Sequence, residues 1–332
     1  MRTSVDKINQ LLNSRKRITI TTHTNPDGDA IGSSFALYHY LLKYNHDVKV
    51  VTPNRHPEFL DWVPGIKEVE IFDDNPEKCV KIINDSDLVF TLDFNDLKRA
   101  SKLGLTLNQF KGTTIMIDHH QNPVGYSDIE ISEPNITSTS EMIYMFIKMS
   151  GKIDKIDKDI ATCIYLGMMT DTGSFQYKGV NSTTHEIISS LLACGVDNNK
   201  IYNNVYNSNE ISKLRLLSVA LKNLEVITEN KTALMHITQD DLKKNNYKKG
   251  DSEGIVNYGL TLSGIHFSVI FIENENEKNK FKISFRSKEN FPCNEFASSF
   301  FNGGGHLNAA GGIYKGNLNS AMEYFKKSLN EF

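Results

Sequence analysis

The sequence predicts an α/β protein, with an N-terminal parallel-sheet domain joined by a helical connector to a smaller α/β C-terminal domain. Three observations carry that reading. Short β-branched runs alternate with stretches of helical apolar spacing through residues 1–190. Two of the runs, 88–93 (LVFTLD) and 113–118 (TTIMID), are largely apolar and end in aspartate. That is the pattern of parallel strands covered by helices on both faces. Past residue 222 the order changes to strands followed by helices, so a second domain starts there.

Taken in order, 4–13 has helical spacing, and 17–22 is a strand running into His23-Thr-Asn-Pro-Asp-Gly-Asp29, a turn-forming cluster. A helix follows over 30–42 and a strand over 47–51. The two aspartate-ended strands come next, then helices over 140–149, 159–169 and 182–193. Residues 195–225 read as mostly helical and polar, rich in Asn, Lys and Ser. Strands are expected over 223–228, 233–237, 265–273 and 280–286, and helices over 294–301 and 317–332. Between those helices, 302–312 (NGGGHLNAAGG) reads as too glycine-rich for regular structure. The expected domains are 1–190 and 223–332, with 191–222 as the connector.

A chain of 332 residues with 39% hydrophobic and 23% charged residues supports packed cores and excludes wholesale disorder. Its formal net charge of −3 excludes a bulk polyanion binder, so any nucleic-acid recognition rests on a local site. The charge is uneven: residues 1–190 carry 20 basic and 25 acidic side chains, residues 191–332 carry 17 and 15. Cys79, Cys163, Cys194 and Cys293 form no CxxC pair, and they read as free thiols in a reducing compartment. No apolar run approaches the ~20 residues of a membrane span, and residues 1–17 lack a secretory apolar core. A cytoplasmic protein without a membrane partner is expected.

Carboxylates and histidines stand where strands end, the edge at which open α/β sheets bind ligands. His23-x-x-x-Asp27-x-Asp29 follows the first strand, Asp93 ends another, and Asp118-His119-His120 ends a third. Asp171 begins a turn after a helical run. So many carboxylates in one place repel one another unless a cation joins them. Mixed His and Asp ligands suit Mn²⁺, and less specifically Mg²⁺, Zn²⁺ or Fe²⁺. Two such ions ~3.5–4 Å apart can clamp a phosphoester. In the second domain, Gly303, Gly304 and Gly305 let backbone N–H groups approach a phosphate. His306 and Arg286 add charge, and Arg286 can bind a phosphate through two bonds at once. Arg99, six residues past Asp93, is a further candidate phosphate contact.

Residues 25–33 (NPDGDAIGS), Asp93, Asp118-His-His120 and Thr170-Asp-Thr-Gly173 resemble, in this order, the four motifs of the DHH phosphoesterase superfamily. Glu253-Gly-Ile-Val-Asn257, Ser284-Phe-Arg-Ser-Lys288 and 303–311 (GGGHLNAAG) resemble that superfamily's nucleotide-binding C-terminal domain. The likeness covers nearly the whole chain, and the layout is similar to the branch of oligoribonucleases and pAp phosphatases, the nanoRNases. The resemblance implies one ion on His23, Asp27 and Asp93, and a second on Asp29, Asp93, His119 and Asp171, with Asp93 shared. It implies Mn²⁺ in both places, with Mg²⁺ as the alternative. It places His120 toward the scissile phosphate and Asp118 behind the adjacent histidine, so His120, Asp118 and Asp93 form the catalytic set. The substrates it implies are short RNA oligonucleotides, ~2–5 nucleotides long by analogy to the family, and 3′-phosphoadenosine 5′-phosphate (pAp). The linear dinucleotide pApA and cyclic-di-AMP are the alternatives within the fold, and it leaves room for a homodimer. A catalytically silent nucleotide-binding regulator is the remaining alternative, although every expected ligand position is occupied.

Overall fold

The computed structural model describes residues 1–332, which separate into two units, Met1–Ser208 and Asn209–Phe332. In the first unit, six short runs become strands: β1 (Arg17–Thr21), β2 (Asp47–Thr52), β3 (Val69–Ile71), β4 (Leu88–Leu92), β5 (Thr113–Asp118) and β6 (Ile129–Ser132). They form one sheet in the order β3-β2-β1-β4-β5-β6, and every neighbouring pair is parallel. The chain steps outward from β1 to β2 and β3, then returns to lay β4 on the other flank of β1. That reversal is a topological switch point, which opens a crevice at the carboxyl ends of β1 and β4.

The helices of this unit are α1 (Arg2–Leu11), α2 (Gly28–Leu42), α3 (Pro76–Asn84), α4 (Ser101–Gln109), α5 (Thr139–Met149), α6 (Lys158–Asp171), α7 (Ser182–Ala193) and α8 (Asn198–Tyr206). They cover both faces of the sheet. Every residue of β4 is buried, and its neighbours Val89 and Phe90 enter different cores. Phe90 packs with Ile20, Phe35, Phe146 and Ile164, whereas Val89 packs with Val51, Ile83 and Leu103. An apolar run without alternation is what a doubly covered strand requires. β3, β6, α3 and α4 add to the expected elements. β3 and β6 are short, half-buried edge strands with no clean period to read. α3 had a legible start, because Asn75 accepts from the Lys78 N–H at 3.1 Å and Pro76 occupies the first helical position.

The second unit contains α9 (Ile211–Lys222), β7 (Glu225–Ile227), β8 (Thr232–Ile237), α10 (Gln239–Lys244), β9 (Phe267–Glu273), β10 (Lys280–Ser287), α11 (Cys293–Phe300), β11 (Gly304–His306), β12 (Ala309–Lys315) and α12 (Leu318–Glu331). Its sheet runs β11-β12-β10-β9-β8-β7, antiparallel except for the parallel β8–β9 pair. Along β9, Phe267, Val269 and Phe271 join one core while Ile270 and Ile272 join the other. The first core is a phenylalanine cluster that also takes Phe281, Phe285, Phe296, Phe301 and Phe325.

The glycine-rich segment is a correction to the expectation. Residues 304–306 and 309–315 are strands, with Gly304 opposite Gly311 and His306 opposite Ala309. The glycines permit close approach. A methyl group at Gly303 would overlap the Gly311 carbonyl, and one at Gly312 would lie 2.8 Å from the Phe301 Cβ. Glycine inside a strand marks such approaches, so composition alone misread the segment.

Candidate metal centre

β1 ends at Thr21, and the chain turns through His23 to α2. Asp27 caps that helix: its Oδ1 accepts from the N–H groups of Asp29 and Ala30, both at 3.0 Å. Its Oδ2 is left facing His23 Nε2, 4.0 Å away. His23 Nδ1 lies 3.0 Å from the Thr24 carbonyl, so the proton belongs on Nδ1 and Nε2 is presented to the acids. Asp93, just past β4, adopts a left-handed conformation (φ +66°) and places Oδ2 3.3 Å from His23 Nε2. β5 ends in Asp118, and His119 turns its Nε2 inward, 3.7 Å from Asp93 Oδ1 and 3.3 Å from Asp171 Oδ2. His119 Nδ1 is anchored on the Ile136 carbonyl at 3.2 Å. Both histidines therefore present Nε2 from a backbone-anchored ring, the usual posture of an imidazole ligand.

Asp171 is the last residue of α6, which runs two residues past the helix end expected at 169. It reaches the rim because α6 packs closely on α2. A methyl at Gly32 would lie 2.6 Å from the Cys163 carbonyl, and one at Gly167 would overlap Ser140 Oγ and lie 2.5 Å from Asp29 Oδ1. Asp29 itself is 1% exposed, and its two oxygens accept from the Thr139 and Ser140 N–H groups at 2.6 and 2.8 Å. The positive end of α5 thus partly neutralises a buried carboxylate.

The donor atoms fall into three overlapping groups, and within each group they lie within 4.8 Å of one another: His23, Asp27 and Asp93; Asp29, His119 and Asp171; and Asp93, His119 and His120. Asp93 and His119 each belong to two groups. The electrostatics match a site built for cations. Burial disfavours the His23 cation, but its hydrogen bond to Asp93 and the charges of Asp27 and Asp93 push it up to about 9. His119 is likewise disfavoured by burial, yet Asp171, Asp93 and Asp29 raise it to about 9. Burial raises Asp171 to about 7, with Asp93 and Asp27 adding to the shift. Burial, Asp93 and Asp171 hold Asp29 well above the carboxylate range. Burial would raise Asp93 too, but His23, His120 and His119 hold it well below that range. Protons thus occupy positions that divalent cations would take, and the mixed carboxylate and imidazole donors fit Mn²⁺ or Mg²⁺.

Asp118 has a different partner from the one the family resemblance implied. Its Oδ1 lies 2.7 Å from His120 Nδ1 and its Oδ2 accepts the His120 N–H at 3.0 Å, whereas His119 relies on Ile136. Arg99 lies beside the β1 loop, since its carbonyl accepts the Thr24 N–H at 2.8 Å, and the residue is half-buried. In the second unit, Arg286 stands near the end of β10 and bonds the Phe285 carbonyl at 2.9 Å. Gly303 precedes β11, and Gly304, Gly305 and His306 form that exposed strand.

Sequence reasoning missed Thr139, Ser140 and Asn95. The first two follow Ser138, the cap of α5, whose side chain accepts the Glu141 N–H at 3.0 Å. Ser138-x-x-Glu141 is a legible capping signature that starts the helix earlier than residue 140. Asn95 fastens the loop after His120: its side chain donates to the Gln121 carbonyl at 2.6 Å, and its carbonyl accepts the Val124 N–H at 3.2 Å. Nothing in the sequence pattern marked it.

The N-terminal domain profile of the DHH family matches residues 17–168, and the DHHA1 domain matches residues 230–332. A crystal structure of an exopolyphosphatase-related protein from Bacteroides fragilis is 41% identical, covers 100% of this chain and 96% of its own, and superposes with a TM-score of 0.97. The bifunctional oligoribonuclease and PAP phosphatase NrnA of Bacillus subtilis is 26% identical over 296 residues, 89% of this chain and 88% of its own. The cyclic-di-AMP phosphodiesterase GdpP of the same organism is 24% identical over 57% of this chain but only 30% of its own length. No helix of the chain is long and apolar enough to cross a membrane.

Proposed function

The chain belongs to the DHH family and carries a DHHA1 domain, and from that premise we propose that it is a metal-dependent phosphoesterase of short RNA. It degrades oligoribonucleotides of ~2–5 nucleotides to mononucleotides and removes a phosphate from pAp. The single observation that carries the reading is the overlap of three donor groups on Asp93 and His119 at the switch point of the parallel sheet. His23, Asp27 and Asp93 hold one Mn²⁺, and Asp29, Asp93, His119 and Asp171 hold the other. Divalent ions supply the positive charge that lets water attack phosphorus at neutral pH and that offsets charge on the phosphoryl oxygens.

The chain's own residues orient and exchange protons. The Asp118 carboxylate favours a proton on His120 Nδ1, and in the imidazolium form His120 Nε2–H donates to a phosphate oxygen or to the departing alkoxide. Arg99 contacts phosphate beside the β1 loop. Arg286, Gly303, Gly304, Gly305 and His306 bind the nucleotide through a guanidinium, backbone N–H groups and an imidazole. The near-complete span of the NrnA relative, against the partial span of GdpP, favours linear over cyclic substrates.

A panel of pAp, pApA, labelled two- to five-mers, a 24-mer and cyclic-di-AMP, each with Mn²⁺ and with chelator, tests the reading. Mn²⁺-dependent turnover of the two- to five-mers and of pAp is expected, with the 24-mer and cyclic-di-AMP at least ~10-fold slower. Turnover of none of them would leave a silent regulator, and preference for cyclic-di-AMP would transfer the chain to the other reading.

A further inference from the structure

We propose that Thr139 is a positioning residue of the metal centre, its hydroxyl fixing the rotation of the Asp93 carboxylate so that one oxygen faces each ion set. The inference rests on the two-ion reading above and deepens it. Asp93 leaves β4 in the left-handed region, with its N–H on the Ile117 carbonyl at 3.2 Å. A non-glycine residue held there is an uncommon conformation of the kind found at functional sites. The backbone aims the side chain into the crevice but does not settle how its two oxygens are shared.

Thr139 settles it. A carboxylate only accepts, so the hydroxyl donates to Asp93 Oδ1, at 2.9 Å. Oδ2 is thereby turned to His23 Nε2 at 3.3 Å, and Oδ1 stays on the side of His119 Nε2 at 3.7 Å. Thr139 is fully buried, and its own N–H is bound to Asp29 Oδ2 at 2.6 Å. One residue in the first turn of α5 therefore holds two acids, one from α2 and one from the end of β4.

The test compares Thr139→Val, which keeps the shape and loses the hydroxyl, with Thr139→Ser, which keeps the hydroxyl. Each metal-free protein is melted and then titrated calorimetrically with MnCl₂. The valine variant is expected to bind both ions ~10–100-fold more weakly, as losses behind a ligand do, and the serine variant to bind within a few-fold of wild type. A hydroxyl with a purely structural role would lower the melting temperature of the valine variant and leave its Mn²⁺ isotherm unchanged, which overturns the proposal. If the valine variant does not fold, Thr139→Ala against Thr139→Ser decides by the same ratio. Wild-type protein that binds no Mn²⁺ removes the two-ion reading itself, a result distinct from equal binding by wild type and variant.

Discussion

At the scale of single residues, the informative comparison is between the two histidines that follow Asp118. Their order in the sequence does not say which one the aspartate supports. The structure gives Asp118 to His120, through both the ring and the backbone N–H, and gives His119 to a backbone carbonyl. Asp118→Asn should therefore lower turnover of pAp by ~10–100-fold while the Mn²⁺ isotherm stays at its wild-type position. His119→Ala should weaken both, because its Nε2 lies with the acids of two donor groups. Calorimetric titration beside initial rates separates the two, and parallel loss of metal and activity in Asp118→Asn would return that aspartate to the ligand set. A single acid in such a place can equally be a helix cap, as Asp27 also is. The residue types of the donor groups were legible in the sequence from their joint arrangement, because so many acids at the strand ends of one sheet repel one another unless a cation joins them. Their pairing was not, because it is set by χ angles and by the local geometry of the chain after β5.

At the scale of elements, the candidate centre depends on how closely α2, α5 and α6 approach. Gly167 is the pivot: the place of its missing side chain is filled by Ser140 and Asp29. Gly167→Ala should push α6 off its neighbours and destabilise the protein by ~1–3 kcal/mol, the usual cost of overpacking a filled core. Urea denaturation of the metal-free protein measures this, and an unchanged midpoint would show that the helices separate freely. Sequence reading found α2, α6 and α7 from their apolar spacing but started α5 at Ser140, one residue past Thr139, which grips both Asp29 and Asp93. It also read 302–312 by composition, where the glycines are needed for strand contact against Gly311 and Phe301. The two errors differ in origin: the start of α5 turns on a capping signature left unread, whereas the glycines are small because a local hairpin packs closely there, and small residues look like turns.

At the scale of the whole molecule, the acidic excess of residues 1–190 has its sharpest local expression in the donor groups, and it couples stability to both pH and metal. In the metal-free protein His23 and His119 titrate near 9, against about 6.5 in an unfolded chain. Between those values the native state binds more protons than the unfolded state, so the stability these groups contribute is complete below pH ~6.5 and falls as pH rises through 9. Asp171, raised to about 7, has the same sign over its own window, from the ordinary carboxylate range up to 7. Asp93 has the opposite sign, but its contribution is lost only as pH falls below the carboxylate range. In chelator the melting temperature should therefore decline from pH 6.5 to 9. With Mn²⁺ the decline should disappear, because each ion set contains one histidine that must shed a proton before it can ligate, and above pH ~6.5 the native and unfolded states then bind equal numbers of protons at those groups. Each apparent affinity should then rise at least ~10-fold per pH unit over 7–9, with at least about one proton released per ion and more at the set that contains Asp29, itself held above the carboxylate range. Calorimetry at one pH in two buffers of different ionisation enthalpy counts those protons directly. Binding without proton release would mean that Mn²⁺ bypasses the imidazoles, and the assignment of His23 and His119 as ligands would fail.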